Sequence, residues 1–289
     1  RRDLEKLGCE FRSGTDTKVI LHAFAEWREK ALDRFNGMFA FAIWDKKRRE
    51  LFLARDRYGI KPLYWSRNGN TLVFGSEIKA ILAHPGFHAE IDKEALLEYF
   101  TFQNYFSDRT LFKGMSLFPA GHWWKLSVAG DQETQPVQYW DFHFEEPAKP
   151  ASREEYIEEL DRLFQQAVRR QLISDVEVGA YLSGGMDSGS ITAIAAQEIP
   201  NIKSFTCGFD LHGVSEFEYG FDERATAEYM SHLFQTEHYE IVLKAGDMER
   251  CLPEFAHHLE EPRVGQSYPN WYISKLASKF VKVVLAGIG

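Results

Sequence analysis

Residues Val176–Glu198 read VEVGAYLSGGMDSGSITAIAAQE. Val176 to Leu182 make a short, largely apolar run, as a buried strand requires. From Ser188 onward the small and apolar residues continue as a helical run. Between the two lies Ser183-Gly184-Gly185-Met186-Asp187-Ser188. A strand that ends in a glycine turn and re-emerges as a helix is the opening unit of a parallel α/β sheet.

The pattern repeats downstream. KSFTCGF (203–209), HYEIVL (238–243) and VKVVLAG (281–287) read as strands. DERATAEYMSHLF (222–234), MERCLPEFAHHL (248–259) and PNWYISKLASKF (269–280) read as helices, the second interrupted by Pro253. Nearly all-apolar strands alternating with helices predict a buried parallel sheet covered on both faces. Asp222 is expected to cap the helix it opens.

Upstream the character changes. HFEEPAKPAS (143–152) carries two prolines and mixed charge, as a linker does. Ser152 and Glu155 then form a capping box before an amphipathic helix with Ile157, Leu160, Phe164, Ala167 and Val168 on one face. Before the linker, FNGMFAFAIWD, ELFLARD, TLVFGSEI and HWWKLSV read as antiparallel strands with a few helices between. Lys46-Lys47-Arg48-Arg49 is placed at a solvated hairpin turn, and Trp123 and Trp124 in packed core. Arg55-Asp56-Arg57 is expected to form a structural ion-pair turn at a domain interface. The predicted domains are 1–145, a linker at 146–151, and 152–289.

The 289 residues are 44% hydrophobic and 15% aromatic, enough for real cores. A net charge of −9 disfavours nucleic acid or a membrane surface as a partner held by bulk charge. Cys9, Cys207 and Cys251 are far apart and form no C-x-x-C, and no run is long enough for a membrane span or reads as a signal peptide. A reducing, cytoplasmic setting is the expectation.

Ligands of open α/β sheets bind at the carboxyl ends of the strands, where Ser183–Ser188 lies. Its glycines admit close backbone approach, and the free N–H groups of the helix's first turn face an anion. The Ser183 and Ser188 hydroxyls can add hydrogen bonds. Asp187 is out of place beside phosphate unless it caps the helix or helps to hold a divalent metal. Neither a lysine-bearing P-loop nor a G-x-G-x-x-G fingerprint is present. The plain alternative is a glycine turn followed by a helix cap.

SGGMDS is similar to the S-G-G-x-D-S pyrophosphate loop of the N-type ATP pyrophosphatases. With GMFAFAIWDKKRRELFLARDRYGIKPLYW, FGSEIKAIL, FPAGHWW and HLEEP in order, nearly the whole chain resembles the glutamine-dependent asparagine synthetase family. The resemblance implies an antiparallel glutaminase domain of the N-terminal-nucleophile αββα type, incomplete here. A Rossmann-like parallel-sheet ATP pyrophosphatase domain follows it. It implies glutamine, aspartate and ATP as substrates, Mg2+ as the metal, and β-aspartyl-AMP as the intermediate that ammonia attacks. A homodimer is a further partner it allows.

Residue by residue, the resemblance implies that Leu182, Ser183, Gly184, Gly185, Asp187 and Ser188 bind ATP and pyrophosphate, with Cys207, Ala286 and Gly287 beside them. Asp187 is the implied metal ligand. Asp16 in GTDTKV (14–19) would hold the glutamine amino group and also suits a helix N-cap. Glu261, in Glu261-Pro262, is assigned to the substrate pocket, although the pair could equally end a helix.

Three departures qualify the match. No N-terminal cysteine nucleophile stands in the chain, and Cys9 does not replace it. This half is expected to be inactive as it stands, with the beginning of its domain lacking. The G-D-E-x-F-G-G-Y-like segment that follows in the family is also expected beyond Gly289. Finally, Ile288 stands where the family carries an acid, and isoleucine can move no proton. That leaves two further readings: a relative that adenylates another carboxylate, as β-lactam synthetases and surface-polysaccharide amidotransferases do, or a non-catalytic nucleotide binder. His257-His258 is read as a helix end rather than a metal site.

Overall fold

The computed structural model describes residues 1–127, 134–147, 149–210, 222–263 and 267–287. The chain divides into two compact units, one of residues 1–145 with 260–262, the other of 146–259 with 263–289.

The first unit begins with α1 (Arg2–Lys6), α2 (Asp16–Trp27) and a 3-10 segment at Arg28–Arg34. One antiparallel sheet has the order β1-β2-β6-β7, from β1 (Ala40–Asp45), β2 (Glu50–Arg55), β6 (His122–Ser127) and β7 (Val137–Gln138). A second has the order β4-β3-β5, from β3 (Tyr64–Asn68), β4 (Thr71–Gly75) and β5 (Met115–Leu117). The helices α3 (Ile78–Leu82) and α4 (Lys93–Phe102) lie between β4 and β5 in the chain.

Alternation along β2 builds the layers, because successive strand residues face opposite ways. Phe52 and Ala54 pack with Phe24 of α2 and with Leu32. Leu53 turns the other way, into a cluster with Leu63, Phe118 and Trp124 that includes Trp65 and Leu72 of the second sheet. On that sheet's far face, Ile78 and Ile81 of α3 pack with Met115, Tyr64 and Val73. The order is helix, sheet, sheet, helix, the αββα sandwich expected. Trp124 is 3% exposed and Trp123 stacks on Phe52, so both tryptophans are core. The hairpin turn stands at Lys46–Arg49 as read, with the Asp45 carboxylate accepting from the N–H groups of Lys47 and Arg48 at 3.0 and 3.1 Å.

Arg55 and Asp56 correct the expectation of an ion-pair turn. The Asp56 carboxylate accepts four backbone N–H groups, from Phe39, Tyr58, Ile60 and Lys61, at 3.0–3.2 Å. Arg55 donates instead to the carbonyls of Lys61 (2.8 Å), Gly59 (2.6 Å) and Phe118. Each charge is solvated by peptide dipoles rather than by the other charge.

Glu260 and Glu261 belong to this unit. Glu260 holds a left-handed backbone, φ 64°, directly after a helix that ends at Leu259, where glycine is the usual residue. Its carboxylate accepts from the N–H groups of Ile78 (2.8 Å) and Lys79 (2.7 Å), and the Lys79 ammonium lies 3.2 Å away. Those bonds explain why a carboxylate residue occupies a glycine position.

The second unit opens with α5 (Arg153–Gln171), and its capping box is formed in both directions between Ser152 and Glu155. Its sheet is fully parallel, ordered β10-β9-β8-β11, from β8 (Val178–Tyr181), β9 (Lys203–Phe209), β10 (Glu237–Leu243) and β11 (Val283–Leu285). The connections are α6 (Met186–Glu198), α7 (Arg224–Phe234), then α8 (Asp247–Leu259) and α9 (Ser267–Ala277). Val178, Ala180 and Leu285 pack with Val168 of α5 and Ile194 of α6. Phe205 packs with Ile273 and Ala277 of α9 on the opposite face. Helices thus cover both faces, as the alternating pattern predicted. Pro253 lies inside α8 without ending it, so the expected interruption is absent.

Chain order runs from β8 outward to β10 and then jumps back across β8 to β11. The order in which strands are added therefore reverses between β8 and β11, and a crevice at that switch point is where such folds bind ligands.

Candidate functional site

The carboxyl end of β8 carries the glycine turn, and that of β11 carries Ala286 and Gly287. Leu182 is 1% exposed. Its N–H donates to the Phe205 carbonyl at 2.9 Å, and its carbonyl accepts from the Thr206 hydroxyl. Both of its backbone groups are bonded to β9 and its side chain is buried, so Leu182 supports the turn from within the core.

The turn braces itself through two serines. The Ser188 hydroxyl, buried in the first turn of α6, accepts from Ser183 N–H at 3.0 Å and lies 2.9 Å from the Ser183 hydroxyl and 3.3 Å from the Gly185 carbonyl. The Ser183 hydroxyl accepts from Gly185 N–H at 3.1 Å. The first helical return bond is Gly189 N–H to the Gly185 carbonyl, 3.1 Å. The N–H groups of Gly184, Met186, Asp187 and Ser188 have no acceptor among the described residues. Four donors at a helix N-terminus, with the dipole behind them, are the arrangement that an anion cradle requires.

Close approach shapes the cradle on two sides. A Cβ on Gly287 would lie 2.6 Å from Ser188 N and 2.9 Å from Ser188 Cα, so only glycine lets β11 meet the turn. A Cβ on Gly184 would lie 3.0 Å from Thr226 Cβ and 3.3 Å from Glu223 Cβ, in the first turn of α7. The Asp187 side chain is exposed and has no partner among the described residues, and it does not cap α6, whose N-cap is Gly185. No group of three or more His, Cys, Asp or Glu suited to a metal exists among the described residues. The exposed Asp187 carboxylate suits Mg2+ carried mainly by phosphates and water, which needs only one or two carboxylates.

Cys207 lies near the end of β9, on the face toward α9. Burial, reinforced by the charge of Asp222, pushes its thiol up to about 11, so it stays protonated and serves as a packed small residue. Asp222 sits one residue before the helix boundary, and Glu223 is the N-cap of α7. Its carboxylate grips the Arg224 guanidinium, with Nε 2.9 Å from both oxygens and Nη2 2.6 Å from one. That pairing holds the Asp222 carboxyl below the usual range. Arg224 Nη2 also donates to the Phe209 carbonyl at 3.1 Å. The placement of Arg224 is not signalled by the sequence, because its stem packs over Gly208 of β9.

In the first unit, Asp16 is the exposed first residue of α2 and Thr15 is its N-cap, so Asp16 does not cap the helix. The Glu261 carboxylate accepts from Leu111 N–H at 2.9 Å and from the Tyr64 hydroxyl at 3.5 Å. Burial, with the charge of Glu261 beside it, pushes the Tyr105 hydroxyl up to about 12. Thus Ser183–Ser188, Ala286 and Gly287 come together, whereas Asp16 and Glu261 belong to the first unit. Ile288 lies outside the described residues. No helix among the described residues is long and apolar enough to cross a membrane.

Residues 1–140 match the glutamine amidotransferase domain family, and residues 159–289 match the asparagine synthase family. Over 99% of the chain, the sequence is 35% identical to asparagine synthetase [glutamine-hydrolyzing] 3 of Bacillus subtilis, covering 48% of that protein. It is 32% identical over 100% of the chain to asparagine synthetase [glutamine-hydrolyzing] 1 of the same organism, covering 44% of it. The chain spans about half the length of these curated relatives.

Proposed function

The chain belongs to the family that joins a glutamine amidotransferase domain to an asparagine synthase domain, and from that premise we propose that it is part of an ATP-dependent, glutamine-hydrolysing amide ligase. The reaction is adenylation of the aspartate side chain with loss of pyrophosphate, followed by attack of ammonia and release of AMP. Ammonia comes from glutamine, whose amino group Asp16 binds as an exposed carboxylate.

One observation carries the proposal: the amides of Gly184, Met186, Asp187 and Ser188, without acceptors among the described residues, lie together at the helix start beside the switch point of the parallel sheet. As the α–β phosphate bond breaks, negative charge grows on the leaving pyrophosphate. Fixed amide donors stabilise that charge without reorganising at the moment of reaction. Ser183 and Ser188 hold the turn in shape, and Gly287 lets β11 close one wall. In this reading the buried Leu182 backs the nucleotide site from within the core, and Cys207 and Ala286 offer it apolar surface. Asp187 would hold Mg2+, which when bound neutralises charge on the phosphates. Glu261 is the substrate-pocket residue in this reading, oriented by Leu111 N–H.

A second reading changes the acceptor. Ile288 stands where the family has an acid, and this favours a carboxylate other than aspartate. ATP–pyrophosphate exchange on the full-length protein, run with aspartate and then with a panel of other carboxylic acids, separates the two. Exchange with aspartate supports the first reading and exchange only with another acid supports the second. Absence of exchange with every acid, despite bound ATP, would leave a non-catalytic nucleotide binder.

A further inference from the structure

The first turn of α7 touches both the glycine turn after β8 and the end of β9. Glu223 and Thr226 lie against Gly184 of the anion cradle. Between them Arg224 reaches the other way, across Gly208 to the carbonyl of Phe209 at the end of β9. The fit over Gly208 is close: a Cβ there would lie 2.6 Å from Arg224 Cγ and closer still to Cδ. Arg224 cannot yield cheaply, because its Nε and Nη2 are held by Asp222 at 2.6–2.9 Å. Asp210 and Glu240 add negative charge around it. An incoming phosphate would meet an arginine already neutralised, so its role is mechanical rather than anion-binding.

We infer that Arg224 is a positioning residue for the nucleotide: locked by Asp222, it clamps the Gly208–Phe209 end of β9 to the same helical turn that buttresses Gly184, and so sets the span between the phosphate cradle and the strand end carrying Cys207. The inference rests on the nucleotide reading of the crevice. A planar guanidinium held by two carboxylate oxygens and bonded to one carbonyl is a stiff spacer that lysine cannot reproduce. Gly208 and Arg224 then form one unit, with the missing side chain of the first making room for the stem of the second.

The test is a double-substitution cycle on the whole chain, with affinity for ATP in the presence of Mg2+ read by titration calorimetry. Arg224→Ala is expected to weaken ATP binding about tenfold. Gly208→Ala, which forces the arginine out, should weaken it by a similar factor. The double variant should be no worse than Arg224→Ala alone, because the added methyl then fills vacated space. Arg224→Lys keeps stem and charge and should bind with intermediate affinity. It carries the test if Arg224→Ala does not fold. Wild-type affinity in Arg224→Ala or Arg224→Lys, or losses that multiply in the double variant, would overturn the clamp. A wild-type chain that binds no ATP would instead overturn the nucleotide reading itself, and the clamp with it.

Discussion

Two turns of this chain begin alike and end differently. In the first unit, β2 runs into Arg55-Asp56 and a turn through Gly59. In the second, β8 runs into Ser183-Gly184-Gly185 and a turn into α6. Both combine glycine with polar side chains at the end of a strand. The first consumes its polar groups: Asp56, 1% exposed, takes four amides, Arg55, 6% exposed, takes three carbonyls, and the Tyr139 hydroxyl donates to the Arg55 carbonyl at 2.9 Å. The second spends its serines on holding the turn and leaves four amides without acceptors among the described residues. A turn that satisfies itself is part of the scaffold. One that leaves donors at a helix start is open to water or to an anion.

The largest effect should come from breaking the closed turn. Asp56→Ala strips four buried amides of their acceptor, and should cost the first unit about 3 kcal/mol or more, read by chemical denaturation. A cost below about 1 kcal/mol would mean that the turn is not closed on itself. The open turn should lose function rather than stability. Gly287→Ala drives β11 off Ser188, and a misplacement of this kind is expected to cut ATP–pyrophosphate exchange about 100-fold. Unchanged exchange would show that β11 forms no wall of the site. Ser188→Ala removes the inner brace, and a loss of about tenfold in ATP affinity is expected.

The smallest effect concerns pH, and it separates the cradle from the sheet beneath it. His238 on β10 lies 2.8 Å from the Ser204 hydroxyl, and its pKa is lowered from 6.5 by burial, against the opposing pull of Glu240 and Glu228 and with help from His232. The unfolded chain binds this proton more readily than the folded one. The stability contributed by the neutral ring is therefore present above about 6.5 and is lost as pH falls below it toward the folded pKa. Thermal melts of His238→Asn should lack that slope, whereas ATP affinity corrected for stability should be unchanged. A wild-type melt flat in this window would contradict the assignment.

Much of this contrast was legible before any coordinates. The glycine turn between an apolar strand and a helix, the alternating βα pattern, the capping box at Ser152 and the Lys46–Arg49 hairpin are local signals, set by neighbours in the chain. What escaped depends on distant partners. Strand β3 escaped because, with Ser66, Arg67 and Asn68 at its end, it lacks a clean apolar run. Asp56 looked like half of an ion pair, because sequence adjacency to Arg55 says nothing of the four amides folded around it. Pro253 looked like a break, yet α8 continues through it. Arg224 carried no signal at all, since its role requires Gly208 on another element to leave it room.

The most direct measurement is a backbone amide NMR titration of the whole chain with ATP and Mg2+. The amides of Gly184, Met186, Asp187 and Ser188 should shift together and saturably, while those of Tyr58, Ile60 and Lys61, already bonded to Asp56, stay in place. Shifts confined elsewhere, with the four loop amides unmoved at saturating ATP, would contradict the claim that this turn is the anion cradle.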